Sequence, residues 1–415
     1  MKKFAVVFPG QGSQYVGMGK ELYNNFSIAK QTFEEASDAI KINLEKICFE
    51  GDEQLLTLKE NCEPAILTVS TAMYRVFKSE FNCVPFYAAG HSLGEYAALV
   101  CSGTLAFSDA VKLVKSRGKF MQETSTEESL MVAISGLYSD IVVEECNKAS
   151  LGNKIAVVSN FNTPQQTTIS GEKNAIEAVV KSLEEIGASS TILKVSAPFH
   201  SPYMQSATEK LRVELGKYKF GKMSKCQVIS NVTGKPYESE ASIIDNLTLQ
   251  MKEPVQWVKT LRFLESEGVL AYLEFGPKHV MKNLIKNTIT NVSTYSYDVE
   301  EDKKKLKEEF QPATDRLRFI SKCMAIAVCT RNNNDEEEEY EKGVIIPYRK
   351  VKEMYEELEA NGDEPTNEQA KEALEMLKLV FRTKKTDSVE QEERWKELYN
   401  EVGFKFDFDV FSTFC

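Results

Sequence analysis

The sequence predicts an α/β protein: a large subdomain built on a parallel sheet, a small ferredoxin-like subdomain inserted into it, and a helical C-terminal extension. Three observations predict it. Strand-like and helix-like segments alternate from Lys2 to about Lys286, as in a sheet crossed by helices. Between Leu130 and Val195 the order becomes strand, helix, strand, strand, helix, strand, which is the ferredoxin-like plan. Past about Thr290 the composition turns to Glu and Lys. From Glu301 onward about 20 basic side chains stand against 28 acidic ones, so roughly −8 of the net −11 lies in the last quarter.

Taken in order, Lys2 to Phe8 reads as the first strand; Pro9 and Gly10 break the apolar run too soon for a signal peptide. A glycine-rich turn, Phe8 to Gln14, follows. Phe81 to Ala89 reads as a buried strand and Glu95 to Val100 as a helix. An amphipathic stretch from Phe107 carries Arg117. Inside the insertion, Leu130–Ile134, Lys154–Asn160, Gln166–Ser170 and Thr191–Val195 read as strands, and Ser139–Ala149 and Lys173–Ile186 as helices. The boundaries are then 1–127 and 197–300 for the large subdomain, 128–196 for the small one and 301–415 for the acidic extension. Three helices stand out in the extension: Pro347–Ala360, Asn367–Phe381 and Val389–Val402. In the second, Ala370, Ala373, Leu374, Leu377 and Val380 recur at helical spacing, the mark of a packed face. An appendage docked on the main domain is the simpler reading; a partner-docking module is the alternative.

With 415 residues, 42% of them apolar, the chain can bury a core in more than one domain. It has no apolar run of about twenty residues to span a membrane. The net charge of −11 argues against nucleic acid and anionic membrane as main partners. Nine cysteines, without C-x-x-C pairs or metal-like spacing to histidine, fit reduced thiols of a cytoplasmic protein rather than a disulfide framework or a metal site.

The chemistry centres on Ser92, in Gly90-His91-Ser92-Leu93-Gly94-Glu95 between a strand-like and a helix-like stretch. That is the pattern of a nucleophile elbow, and it makes the large subdomain α/β-hydrolase-like. A serine needs a base, and the chain has only three histidines. His91 precedes the serine directly, so alternation along the strand turns its side chain away. His200 lies in Ser196-Ala197-Pro198-Phe199-His200-Ser201-Pro202, a loop two prolines should hold extended, and is the favoured base. His279 reads as a loop histidine. An oxyanion would find the backbone N–H of Leu93 at the helix start and a second donor in the glycine-rich turn. That turn matches neither the P-loop nor the dinucleotide fingerprint. Taken alone, Arg117 reads as a solvated arginine.

These patches together resemble the malonyl-CoA:acyl carrier protein transacylases over residues 1 to about 300. They are the Phe8–Gln14 turn, Gly90–Glu95, Arg117-Gly118 with Met121-Gln122, Ala197–Ser201, and Gln250 ahead of Pro254-Val255-Gln256-Trp257, with Asn160–Pro164 and Ile169–Gly171 in support. The resemblance implies a ping-pong transfer through a malonyl ester of Ser92, with His200 as base and Gln250 at the position that orients it. It implies oxyanion donors at Gln11 and Leu93, and substrate contacts from His91, Phe199 and Arg117, whose planar guanidinium can grip a free carboxylate. No cofactor or metal is implied beyond the substrate malonyl-CoA; the partner is an acyl carrier protein of a polyketide or fatty acid synthase. Glu45–Asn61, Glu274–Lys278, Thr294–Tyr297 and the helical extension look like free-standing acyltransferases that serve polyketide synthases. Three places depart from the pattern: Glu63 where glutamine is common, Thr126–Ser129 in place of glycines, and Lys278 in place of a glycine. The rivals are a hydrolase that clears acyl chains from carrier proteins and a scaffold that kept the fold. Arg117 argues against the first, because monocarboxylic chains gain nothing from a buried unpaired guanidinium. Ser92 and His200 argue against the second.

Overall fold

The computed structural model describes residues 3–81, 83–124, 128–150, 155–193, 197–221, 226–310 and 315–402. Strands β1 (Phe4–Phe8) and β2 (Tyr87–Gly90) come first, followed by β3 (Ser129–Ser135), β4 (Ala156–Thr163), β5 (Gln166–Glu172) and β6 (Ser189–Ile192). Then β7 (Gln227–Val228), β8 (Ala271–Glu274) and β9 (Ser293–Ser296) return to the first sheet. That sheet runs β7-β2-β1-β8-β9 with every pair parallel. β1 lies at its centre, and all five of its residues, Phe-Ala-Val-Val-Phe, are buried, as a strand covered on both faces requires.

Register places the site. Phe8 pairs with Gly90, so the chain leaves β1 and β2 side by side at their carboxyl ends, where parallel sheets form their crevices. The two turns touch: a Cβ on Gly10 would stand 2.5 Å from the His91 carbonyl oxygen.

β3 to β6 form a separate antiparallel sheet in the order β4-β5-β3-β6, with helices Ser139–Ala149 and Lys173–Glu185 packed against it. This is the ferredoxin-like unit the sequence predicts. Ile134, Ile169, Val142, Ile176 and Leu183 build its own core. It is stitched to the large subdomain where Phe161 N–H donates to the Val255 carbonyl and Val255 N–H to that of Ser159, both at 2.9 Å.

A second compact unit gathers Leu22–Gln31, Arg75–Val84 and the chain from Lys307 onward, so the helical unit is not made from the C-terminal quarter alone. Its long C-terminal helices are Asp315–Cys329, Ile346–Asn361, Asn367–Thr383 and Ser388–Val402. The stripe Ala370, Ala373, Leu374, Leu377 and Val380 is buried against Ile320, Cys323 and Ala327. Thr366 and Gln369 cap the third helix reciprocally. Within the unit Lys78 pairs with Glu359 at 2.5 Å, and the rings of Phe77 and Phe81 meet Phe310 edge-on.

Two expected strands need correction. Phe81–Ala89 is not one strand: helix Lys59–Glu80 runs up to it, and β2 begins only at Tyr87. Pro85 lacks the N–H a ladder needs, and the buried Phe81 ring packs against Phe77 and Phe310. The strand expected at Thr191–Val195 starts earlier, at Ser189, because Gly187 at φ 99° turns the chain out of the preceding helix at once. Helix Asp315–Cys329 has no counterpart among the elements the sequence predicts. Lys154, Lys194, Val195, Ser196, Thr126 and Glu127 lie outside the described residues. Among the described residues the cysteines are free, no helix is long and apolar enough to cross a membrane, and no group of three His, Cys, Asp or Glu could hold a metal ion.

Candidate active site

Ser92 sits between β2 and helix Gly94–Cys101 at φ 51°, a left-handed conformation that costs a non-glycine residue about 1–2 kcal/mol. The flanking glycines serve space rather than backbone freedom. A Cβ on Gly90 would lie 1.9 Å from the Gly94 carbonyl carbon, and one on Gly94 would lie 2.2 Å from the Phe8 oxygen. Gly90→Ala is therefore expected to lower stability by about 3 kcal/mol or more, because backbone rather than a side chain must move; a melt within about 0.5 kcal/mol of wild type would contradict this.

Asn231 clamps the turn. Its Oδ1 accepts from Ser92 N–H at 2.7 Å, and its Nδ2 donates to the Gly90 carbonyl at 2.6 Å. Gly94 N–H donates to His91 and Glu95 N–H to Ser92, so the turn's own bonds begin one residue after Leu93, at the helix start.

His200 Nε2 is 2.9 Å from Ser92 Oγ, and its Nδ1 is 2.6 Å from the backbone oxygen of Gln250. A carbonyl can only accept, so the proton sits on Nδ1 and the Nε2 lone pair faces the hydroxyl. Burial, and next the Arg117 guanidinium, push this histidine down to about 3, so it is neutral at ordinary pH. The loop is not simply extended: His200 has φ 55° and is held by its N–H to the Met251 carbonyl, while Ser170 Oγ donates to Phe199 O at 3.0 Å.

Arg117 is buried in helix Phe107–Glu123 and reaches the same point. Its Nη2 lies 3.0 Å from Ser92 Oγ and 3.2 Å from Gln250 Oε1, while Nη1 pairs with the equally buried Glu63. The Gln250 amide donates onward to Ser92 O at 3.0 Å and to Glu95 Oε2 at 2.6 Å. Burial raises Glu95 to about 7, against the donors Tyr237, Gln250 and Asn231.

Ser92, His200, Gln250 and Arg117 thus converge. Gln250 orients the ring through its backbone, and its side chain ties the arginine to the elbow. Gln11 approaches through helix Lys59–Glu80: Lys59 Nζ donates to its Oε1 and lies 3.5 Å from the centre of the Phe199 ring. His91 turns away from the serine to Asn162 Oδ1 at 2.9 Å. His279 is exposed at the start of helix Val280–Lys286. Lys278 keeps a left-handed φ of 65°, the conformation for which glycine is the easier residue. Sequence reasoning missed Asn231, Lys59 and the hub made by Glu95. Asn231 lies in Ser230–Gly234, which looks like any turn, and Lys59 looks like a solvated charge ahead of the apolar run from Ala65.

The acyl transferase domain model matches residues 5–317. A malonyl CoA-acyl carrier protein transacylase of Bacillus subtilis is 37% identical over 396 residues, covering 94% of this chain and 99% of its own. The Escherichia coli K12 protein of that name is 40% identical over 295 residues, 71% of this chain and 95% of its own. Among solved structures, the transacylase from Clostridium perfringens superposes with a TM-score of 0.71 at 38% identity, covering 74% of this chain and 97% of that one. A malonyl-transacylase in complex with its type II PKS acyl-carrier protein gives 0.71 at 37% identity, 74% and 99%. With identity of this order along almost its whole length, the chain belongs to the acyl transferase family and, within it, to the malonyl-CoA:acyl carrier protein transacylases.

Proposed function

We propose that this enzyme moves a malonyl group from malonyl-CoA to the phosphopantetheine thiol of an acyl carrier protein, in trans for a polyketide synthase, with its large subdomain (1–127 and 197–300) carrying the reaction. The observation that carries the reading is the meeting of His200 Nε2 at 2.9 Å and Arg117 Nη2 at 3.0 Å on one hydroxyl, Ser92 Oγ. One group takes the serine proton; the other places a positive charge where the free carboxylate of a short diacyl chain can fold back.

In the first half-reaction Ser92 Oγ bonds to the thioester carbonyl carbon as its proton passes to His200 Nε2. The N–H groups of Gln11 and Leu93 receive the oxyanion. The carbon–sulfur bond breaks, and coenzyme A leaves with the proton from His200. In the second half the pantetheine thiol gives its proton to His200 and attacks the ester carbonyl; the carbon–oxygen bond breaks, and Ser92 recovers its proton. Phe199 and His91 border the acyl group. A cytoplasmic location follows from these substrates.

Intact mass after mixing with malonyl-CoA, followed by a polyketide-type or a fatty-acid-type carrier protein, tests both levels. Expected are a malonyl adduct lost in Ser92→Ala and at least about tenfold faster discharge to the polyketide carrier, equivalent to 1.4 kcal/mol. Rapid malonate release unaffected by either carrier would establish a hydrolase instead. Faster discharge to the fatty-acid carrier would overturn the polyketide assignment.

A further inference from the structure

Glu63 creates a problem for a carboxylate substrate. Arg117 is the cation beside the nucleophile, yet one of its faces already holds the Glu63 carboxylate, and both side chains are 1% exposed. A neutral Arg–Glu pair offers no net charge to a further anion, and burying an unbalanced carboxylate costs several kcal/mol in effective terms. The pair is not alone. Lys59 stands one helical turn before Glu63 on the same helix and is 3% exposed. Its ammonium is held by Gln11 Oε1 and the Phe199 ring, two residues of the acyl site.

Lys59, Glu63 and Arg117 form one electrostatic unit: the charges of Lys59 and Arg117 both act on Glu63, and Glu63 acts back on Lys59. Two buried atoms of this unit lack a hydrogen-bond partner among the described residues, Glu63 Oε2 and Arg117 Nε. With Lys59 protonated, the two cations and one anion of this cluster sum to a single positive charge. A dicarboxylic acyl group brings the single negative charge that balances it, whereas an acetyl group brings none.

We infer that Lys59 is a specificity-determining residue, supplying the second positive charge that lets Arg117 accept a substrate carboxylate while Glu63 stays in place. This rests on the malonyl-transfer reading above. Lys59 neither takes a proton from the serine nor touches the reacting atoms; it acts by charge on the acyl pocket. Burial, opposed by Glu63, leaves its ammonium lowered to about 7, so an arriving carboxylate would hold it charged.

The test is the acylation of the enzyme by malonyl-CoA and by acetyl-CoA, with kcat and KM resolved, in wild type, Lys59→Met, Lys59→Arg, Glu63→Gln and the double variant Lys59→Met/Glu63→Gln. Lys59→Met should lose about 30-fold in malonyl-over-acetyl preference, mostly through KM, and Lys59→Arg should keep it within about threefold. Removing Glu63 as well should restore the preference, since one cation then suffices for one carboxylate. A merely structural lysine would not be rescued by deleting a charge. Unchanged preference in Lys59→Met, or a double variant as poor as Lys59→Met, overturns the inference. Should Lys59→Met fail to fold, Glu63→Gln decides: its malonyl preference is expected to rise by about threefold or more, and no rise overturns the inference. If wild type takes up no malonyl at all, the functional reading itself fails; if it does and Lys59→Met keeps its preference, only the role of Lys59 fails.

Discussion

Replacing His200 with alanine is expected to slow acylation of Ser92 by malonyl-CoA about 10²–10⁴-fold while leaving the fold intact. The reason is local: the hydroxyl would keep Arg117 Nη2 at 3.0 Å but lose the imidazole nitrogen that, among the described residues, stands at hydrogen-bond distance to take its proton. Rapid mixing with malonyl-CoA, quenched and weighed as the acyl-enzyme, measures it. Wild type should show no histidine inflection near pH 6.5, because burial and Arg117 hold the imidazole at about 3 and thus unprotonated through the physiological range. The same depression links to stability. The folded state resists protonation that the unfolded chain accepts, so this contribution is present above about pH 6.5 and is lost as the pH falls from there toward about 3. Acylation at the wild-type rate in the variant, or a clear inflection near 6.5, would remove His200 from its role.

Arg117→Ala should abolish the preference for malonyl over acetyl and also destabilise the protein by about 3–5 kcal/mol, since it leaves Glu63 buried without its partner. Burial already pushes the Glu63 carboxyl up, and Arg117 is the first of the groups that pull it back. In the variant Glu63 would bind a proton more readily folded than unfolded. Its share of the folded state's stability would then be intact at low pH and fade as the pH rises through the raised pKa. The melting-temperature gap between wild type and variant is accordingly expected to be narrower at about pH 5 than at about pH 8. An equal gap at both, with malonyl selectivity kept, would refute both parts; Arg117→Ala/Glu63→Gln should recover stability but not selectivity.

Much of this was legible in the chain because local chemistry and long-range placement agree. Phe4–Phe8 reads as a central strand since apolar and β-branched residues fit a strand covered on both sides. The glycines around Ser92 are visible for the same reason: no other residue fits where β2, the following helix and β1 close on one another. The order of elements between Ser129 and Ile192 follows from clean alternation of periods. What stayed hidden depends on tertiary neighbours. Phe81 looks like a strand residue until Phe77 and Phe310 are seen around it. Asn231 gains its meaning only from β7 lying beside β2. Arg117 and Lys59 look solvated because charged side chains on amphipathic helices usually are, and only the assembled pocket shows what surrounds them.

The partner of the His200 imidazole is a main-chain oxygen, that of Gln250. Every amino acid supplies that same atom, so no single codon change at this position deletes the group that fixes the tautomer. A mutational scan would register at position 250 the loss of the amide that braces Arg117 and Glu95, and remain blind to the larger task performed there. The aim of the His200 ring is thus insured against substitution, and it is exposed to whatever displaces the end of helix Glu240–Gln250.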